Sequence, residues 1–139
     1  MPAKDVYHDT VKNALMKDGW TIIADPYTIE YEGDRIYADL LAEKPLLAEQ
    51  QGRRIVVEIK SFINPSPIND FQSALGQYLL YREFLELSNK DYDIYLAVRS
   101  AVFNNFFQRK GIQAIMQRHQ VNAIVFNVNP EEIVSWISS

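Results

Sequence analysis

The stretch from Tyr37 to Phe62 reads YADLLAEKPLLAEQQGRRIVVEIKSF and decides the fold, because an apolar, strand-like run lies near each of its ends. Runs rich in apolar and β-branched residues are typical of strands in the interior of a sheet. Successive side chains of a strand point to opposite faces, so Glu58 and Lys60 share one face and Ile59 points to the other. If the two runs pair as neighbouring strands, Asp39 comes to lie beside Glu58.

Asp39, Glu58 and Lys60 therefore predict a site for a metal ion or a phosphate group. Ionised side chains on an otherwise apolar sheet face are costly unless they pair or bind an ion. Mg²⁺ takes oxygen ligands at about 2.1 Å, commonly one or two carboxylates, and Mn²⁺ accepts the same kind of ligand. The predicted ligands are Asp39 and Glu58, with the main-chain carbonyl of Ile59 as a third oxygen. Lys60 would orient or deprotonate an attacking water, or offset charge on a phosphate.

Length and composition predict one soluble globular domain spanning residues 1–139. Hydrophobic residues make up 47% of the chain and charged residues 23%, which is ordinary for such a domain. The chain has no cysteine, which suits a reducing cytoplasm, and no apolar run approaches the roughly 20 residues that a membrane span needs. A net charge of −4 argues against coating nucleic acid by charge alone. We therefore expect a cytoplasmic protein without a membrane partner.

The charges are unevenly distributed along the chain. No acidic residue lies between Asp93 and Glu131. The basic residues inside that segment are Arg99, Arg109, Lys110 and Arg118. One interpretation is that these cations lie on solvated helix faces. The other is that they form a rim that faces a polyanion such as DNA, beside the predicted metal site.

Hydrophobic periodicity and breaker residues predict elements in the order α-β-β-β-β-α-β-α-β-α. The predicted helices are residues 5–17 with Asp5 as cap, 67–87 with Ser66 as cap, 111–119, and a last one that begins at Asn129-Pro130-Glu131. The predicted strands are residues 20–24 and 27–31, the runs around Asp39 and Glu58, and residues 93–98 and 121–128, whereas 101–107 is ambiguous. A three-stranded meander followed by β-α-β crossovers implies an α/β fold. Its central mixed sheet would be flanked by helices on both faces, with the Asp39 and Glu58 strands near the centre.

Three polar side chains on the predicted helices are candidates to join this site. Gln77 and Tyr81 are four residues apart, so they share a helix face just after the strand of Glu58. His8 borders the apolar stripe of the first helix, which places it at the edge of the core. Alternatively, Gln77 and Tyr81 form a polar shoulder on an amphipathic helix, and His8 is a hydrogen-bonded boundary residue.

The combination of Asp39, Glu58-x-Lys60 and Gln77-x-x-x-Tyr81 resembles the PD-(D/E)xK nuclease superfamily. The resemblance implies a restriction-endonuclease-like fold in which Asp39 and Glu58 hold the metal and Lys60 assists the attacking water. Gln77 and Tyr81 resemble the helix signature of the RecB-type and Holliday-junction-type branches, and would orient the site or contact the DNA backbone. Many nucleases of this fold dimerise, so a homo-oligomer is also implied.

Two positions depart from the common pattern of that superfamily. Many members carry a Glu on the first helix, and His8, eleven positions before Gly19, stands in its place. A histidine there has precedent in RecB-like members, so the resemblance makes His8 a candidate metal ligand. Ala38 precedes Asp39 where proline is common.

More of the chain is similar to the XisH family. The similar segments are Asp9–Leu15, Lys17–Ile22, Asp25-Pro26, Val57–Phe62, Phe71–Tyr78 and Asn129–Glu131. Members of that family are cyanobacterial controlling factors for the programmed excision of a DNA element. The resemblance implies DNA as a partner, together with a site-specific recombinase and a companion protein called XisI.

Three hypotheses of function follow from these patterns. The first is a Mg²⁺-dependent DNA endonuclease that uses Asp39, Glu58 and Lys60. The second is a catalytically silent, nuclease-like module that regulates excision by binding DNA, XisI or the recombinase. The third treats the same three side chains as a structural ion-pair network in which Lys60 neutralises the two acids and no metal is needed.

Overall fold

The computed structural model describes residues 4–45 and 52–138 of the chain. Its strands are β1 (Thr21–Ala24), β2 (Tyr27–Tyr31), β3 (Asp34–Ala38), β4 (Leu40–Lys44), β5 (Arg53–Ile59), β6 (Asp93–Arg99), β7 (Asn122–Val128) and β8 (Glu131–Ile137). Its helices are α1 (His8–Lys17), α2 (Pro67–Leu87), α3 (Ser100–Phe103) and α4 (Lys110–Arg118), with a short 3₁₀ helix at Phe106–Gln108. None of the helices in these residues is both long enough and apolar enough to cross a membrane.

Six of the described strands form a central mixed sheet in the order β1-β4-β5-β6-β7-β8. β5, β6 and β7 are parallel to one another, whereas β1, β4 and β8 run antiparallel to their neighbours. α2 connects β5 to β6, since parallel strands need a crossover connection. β2 and β3 pair with each other as a separate hairpin.

Apolar side chains pack against both faces of the central sheet. On one face, Phe71 and Tyr78 of α2 join a cluster that contains Val56 of β5. On the other face, Val11 of α1 joins a second cluster that contains Val57. The predicted mixed sheet with helices on both faces is therefore confirmed. Because side chains alternate along β5, its even-numbered residues point toward α2.

Local sequence patterns predicted α2 correctly. The helix begins at Pro67, and the Ser66 hydroxyl accepts a hydrogen bond of 3.3 Å from the main-chain nitrogen of Asn69. A hydroxyl cap followed by proline in the first turn satisfies helix N–H groups and presets the backbone angle. The ambiguous residues 101–107 divide between α3 and the 3₁₀ helix.

The predicted cap of the first helix is wrong. α1 begins at His8, and Tyr7 precedes it without a side-chain hydrogen bond to the helix. The Asp5 carboxylate instead accepts hydrogen bonds of 2.9 Å from the main-chain nitrogens of Tyr7 and Ser61. Because Ser61 follows β5, the hydrogen bond from Ser61 to Asp5 connects the segment before α1 to the end of that strand.

The predicted final helix is also wrong, because Glu131–Ile137 forms β8, antiparallel to β7. An Asn-Pro-Glu sequence is typical of a helix start when taken alone. Trp136 of β8, however, packs against Trp20 and Tyr95, with ring centroids 5.5 Å and 5.1 Å apart. The β-branched and aromatic content of the segment and this packing outweigh the local cap pattern.

The predicted strand around Asp39 is divided in two. Asp39 forms a bend between β3 and β4. β3 pairs with β2, whereas β4 enters the central sheet between β1 and β5. The predicted three-stranded meander is therefore wrong, and five described strands precede α2 where four were expected.

Candidate active site

The start of β4 and the end of β5 bring Asp39 and Glu58 together. Leu40 pairs with Val57 in the antiparallel register, so the residue before Leu40 lies alongside the residue after Val57. Oδ2 of Asp39 also accepts a hydrogen bond of 2.7 Å from the main-chain nitrogen of Ile59. The carboxyl groups of Asp39 and Glu58 are close enough for the negative charge of Asp39 to raise the pKa of Glu58. They are therefore the candidate ligands for one small ion.

Burial changes the acidity of this carboxyl pair. Glu58 is 5% exposed, and its burial together with the negative charge of Asp39 raises the pKa of its carboxyl group to about 8. Burial likewise raises the pKa of Asp39 above its ordinary value. The pair therefore retains a proton at neutral pH, which lowers the cost of placing two acids side by side.

The hydroxyl of Tyr81 contacts Glu58 from α2. Its oxygen lies 2.9 Å from Oε1 of Glu58 and 2.9 Å from the main-chain oxygen of Tyr37. A hydroxyl has one proton, and a carbonyl oxygen can only accept. When Tyr81 donates to Tyr37, the Glu58 carboxyl supplies the proton for the other bond, which agrees with the raised pKa of Glu58.

Lys60 points toward α2, on the same face as Glu58. Its Nζ donates hydrogen bonds of 3.2 Å to Oγ of Ser73 and 3.1 Å to Oε1 of Gln77. An ammonium has three N–H donors, so one is left for another oxygen. The ion pairs formed within residues 4–45 and 52–138 do not include Lys60. The ion-pair-network hypothesis requires Lys60 to pair directly with the two acids. Among the described residues, that pairing is not found.

His8 reaches the site from α1. Its Nε2 lies 2.7 Å from Oδ1 of Asp25, whose Oδ2 lies 2.7 Å from Nζ of Lys12. Its Nδ1 is buried and lies 3.9 Å from Oδ1 of Asp39. This nitrogen has no hydrogen-bond partner among the described residues. Sequence analysis missed Asp25, because its contact with His8 spans 17 residues and no local pattern marks it.

The donor atoms at this site are of types that divalent cations accept as ligands. They comprise two carboxylates and an imidazole nitrogen that has no other partner in the described residues. Within the described ranges, no three or more His, Asp or Glu side chains are already arranged to hold an ion. The predicted set of two carboxylates, a main-chain carbonyl and water needs no third side chain.

The basic segment that follows β6 lies next to the end of β5. Arg99 donates a hydrogen bond of 3.0 Å to the main-chain oxygen of Ser61. Phe62 packs against Phe106 with ring centroids 5.6 Å apart, and the guanidinium of Arg109 lies 4.9 Å from the centre of the Phe106 ring. The exposed cations of this segment that form no ion pair within the described residues are Arg109, Lys110 and Arg118. Arg109, and Lys110 at the start of α4, therefore lie near the strand end that carries Lys60, whereas Arg118 lies at the opposite end of α4.

The fold and the site define a mixed α/β protein with an acid pair, a lysine and a histidine gathered where β4 begins and β5 ends. The family model described as XisH protein matches residues 1–134 of the chain. The chain belongs to the XisH family.

The solved structures that are similar to this chain include those of two proteins, one from Nostoc punctiforme and one from Anabaena variabilis. An XisH family protein from Nostoc punctiforme PCC 73102 is 37% identical and superposes with a TM-score of 0.87, over 96% of this chain and 99% of that one. An FdxN element excision controlling factor protein from Anabaena variabilis is 40% identical, with a TM-score of 0.85 over the same shares of the two chains. No curated protein matches the sequence.

Proposed function

We propose that this protein is an excision controlling factor that acts as a Mg²⁺-dependent DNA endonuclease of the PD-(D/E)xK type, with a restriction-endonuclease-like fold. Similarity to the FdxN element excision controlling factor from Anabaena variabilis supports the role in excision. The observation that carries the endonuclease activity is the convergence of Asp39, Glu58 and Lys60 at adjoining strand ends.

Asp39 and Glu58 would hold the ion through their carboxylate oxygens, with the main-chain carbonyl of Ile59 as a third oxygen. The buried Nδ1 of His8 supports a cation here, because a buried nitrogen without a partner is costly and an ion would supply one. A bound Mg²⁺ or Mn²⁺ would acidify a water molecule and neutralise charge on a phosphate.

The remaining side chains act on the phosphate and on the acids. In hydrolysis the water oxygen bonds to phosphorus, one P–O bond of the DNA backbone breaks, and the leaving oxygen takes up a proton. The third N–H of Lys60 would donate to a phosphate oxygen and offset its developing charge. Gln77 keeps Lys60 in place, and Tyr81 keeps the Glu58 carboxyl in place.

DNA is the proposed ligand, and the basic segment supports it. The exposed cations at Arg109 and Lys110 lie beyond the aromatic contact that joins this segment to Phe62. A polyanion bound there would pass over the end of β5, and its phosphates would replace the missing counter-charges. XisI and a site-specific recombinase are the proposed protein partners in excision.

A cleavage assay tests the activity. Plasmid, single-stranded and branched DNA are incubated with the protein and Mg²⁺ or Mn²⁺, and nicked or shortened products are expected from the wild type. Lys60→Ala and Glu58→Ala should be inactive with unchanged circular dichroism. Lys17→Ala, which removes an exposed lysine at the other end of α1, should cleave normally. Equal cleavage by all four proteins would assign the activity to another site or a contaminant.

A second candidate function is a silent, nuclease-like module that regulates excision by binding DNA, XisI or the recombinase. The observation that favours it is the state of the acid pair, since a Glu58 with a pKa of about 8 holds a proton rather than a cation at neutral pH. Under this hypothesis, DNA or partner binding is insensitive to Mg²⁺ and to Glu58→Ala. The same variant therefore separates the two functions.

A further inference from the structure

We infer that Asp25 is a positioning residue of the metal site, because it fixes the His8 imidazole in the tautomer whose Nδ1 lone pair faces Asp39. This inference rests on the proposed function, since it assigns His8 and Asp39 to the same ion. It extends that function by predicting a preference for Mn²⁺ over Mg²⁺.

The contacts of Asp25 determine which ring nitrogen of His8 carries the proton. Lys12 can only donate, and its Nζ occupies Oδ2 of Asp25 at 2.7 Å. The other oxygen, Oδ1, lies 2.7 Å from Nε2 of His8. Because an ionised carboxylate can only accept, Nε2 must carry the proton. In a neutral imidazole, Nδ1 then has a free lone pair.

The nitrogen that carries this lone pair lies beside Asp39 in the interior of the protein. His8 is 3% exposed, and its Nδ1 lies 3.9 Å from Oδ1 of Asp39 with no hydrogen bond to any described residue. When the imidazole is neutral and Asp39 is ionised, Nδ1 and Oδ1 of Asp39 are two acceptors with no proton between them, and a cation would pair with both. Two ligands of one ion, each at about 2.1 Å, are at most about 4.2 Å apart, so this separation allows a shared cation.

The arrangement also matches how proteins orient histidine ligands. A metal-binding histidine usually donates its other ring N–H to a carboxylate, which fixes the ring and strengthens it as a ligand. Asp25 occupies that position, and Lys12 in turn holds Asp25. Because Mg²⁺ is bound mainly by oxygen, whereas transition-metal ions also accept imidazole nitrogen, a nitrogen ligand makes Mn²⁺ the preferred ion.

Asp25→Asn tests the inference with almost no change of shape. Lys12 requires an oxygen, so the amide oxygen of Asn turns to Lys12 and the amide nitrogen faces Nε2 of His8. Nε2 must then accept, the proton moves to Nδ1, and Nδ1 can no longer bind an ion. Lys12→Met is the matched control, because an intact Asp25 still accepts from Nε2 and the tautomer is unchanged.

The first readout is the tautomer itself, measured by long-range proton–nitrogen NMR of the imidazole rings at a pH of about 8, above the ordinary histidine pKa. The chain has two histidines, and the exposed His119 serves as an internal reference. We expect a protonated Nε2 in the wild type and in Lys12→Met, and a protonated Nδ1 in Asp25→Asn. A wild-type spectrum with the proton on Nδ1 overturns the inference without any variant.

The second readout is calorimetric titration with Mn²⁺ and with Mg²⁺. We expect the wild type to bind Mn²⁺ more tightly, and Asp25→Asn to weaken Mn²⁺ binding by about 10–100-fold. If the wild type binds ions but Asp25→Asn leaves both the affinity and the tautomer unchanged, this inference fails and the proposed function stands. If the wild type binds neither ion, both fail.

Discussion

Nζ of Lys60 lies 3.1 Å from Oε1 of Gln77, so the cation of the candidate site is held by the helix that follows its own strand. Ser73, one turn earlier on α2, contacts the same ammonium at 3.2 Å. A lysine side chain loses about 2 kcal/mol of rotamer entropy when it is fixed. Two acceptors on one helix offset that cost before any substrate binds.

Gln77→Met should therefore impair cleavage without unfolding the protein. Lys60 would lose one of its two acceptors and its ammonium would move, and a displacement of about 1 Å can cost on the order of 100-fold in rate. Single-turnover cleavage of DNA measures the effect. Gln72→Met makes the same change at an exposed position of the same helix and should cleave as the wild type does. Equal cleavage rates for the two variants would show that Gln77 does not contribute to the site.

Stability should fall as the pH rises through the range in which Glu58 titrates. Its pKa is about 8 in the folded protein against an ordinary value of 4.5, so the folded state binds more protons between these limits. The free energy of unfolding then decreases from about pH 4.5 to about pH 8, by at most about 1.4 kcal/mol per pH unit for one group. The raised pKa of Asp39 acts in the same direction.

Urea denaturation in EDTA, followed by tryptophan fluorescence across this pH range, checks that prediction. Glu58→Gln should reduce the change in the free energy of unfolding with pH. Glu83→Gln, at an exposed position on α2, should leave it as it is in the wild type. A wild-type stability that does not change between pH 5 and pH 8 would contradict the pKa given for Glu58.

Binding of a divalent ion should release a proton. Carboxylate ligands must be deprotonated, and a Glu58 with a pKa of about 8 is mainly protonated at neutral pH. The apparent affinity for Mn²⁺ should therefore rise with pH until about pH 8. Calorimetry in two buffers with different ionisation enthalpies counts the released protons. The same heat in both buffers would show that the ion binds elsewhere or that Glu58 is already ionised.

Removing Arg109 and Lys110 together should weaken DNA binding at every sequence. Each phosphate contact that is lost reduces the magnitude of the slope of log affinity against log salt by about 1. For the double serine variant, the magnitude of that slope should therefore fall by about 2. Fluorescence anisotropy without metal measures binding separately from cleavage. A double serine variant at Lys17, the last residue of α1, and Lys90, three residues beyond the end of α2, matches the change of charge. If both variants bind alike, the basic segment is only a solvated surface.

The elements that sequence patterns predicted well are those with local causes. Ser66 and Pro67 mark the start of α2 by themselves, and alternation along β5 is enough to place Glu58 and Lys60 on one face. Asp39 came close to Glu58 as expected, although it occupies a bend rather than a strand. Its place follows from the pairing of Leu40 with Val57.

The features that could not be predicted depend on contacts between distant segments. Asp5 bonds to Ser61 across 56 residues, and Asp25 meets His8 across 17. The local pattern at Asn129-Pro130 predicted a helix where β8 forms. Packing of Trp136 against Trp20 outweighs that local pattern. No local pattern in the sequence indicates which of these distant residues will meet.

The candidate site draws His8, Asp39, Glu58 and Gln77 from α1, a bend, β5 and α2, and β5 pairs in parallel with a strand that lies beyond α2. Such non-local pairing forms only after long stretches of chain have been brought together, and it forms slowly. A nascent chain that ends before β6 lacks the strand with which β5 pairs in parallel. We therefore expect the candidate site to assemble only after β6 has been synthesised.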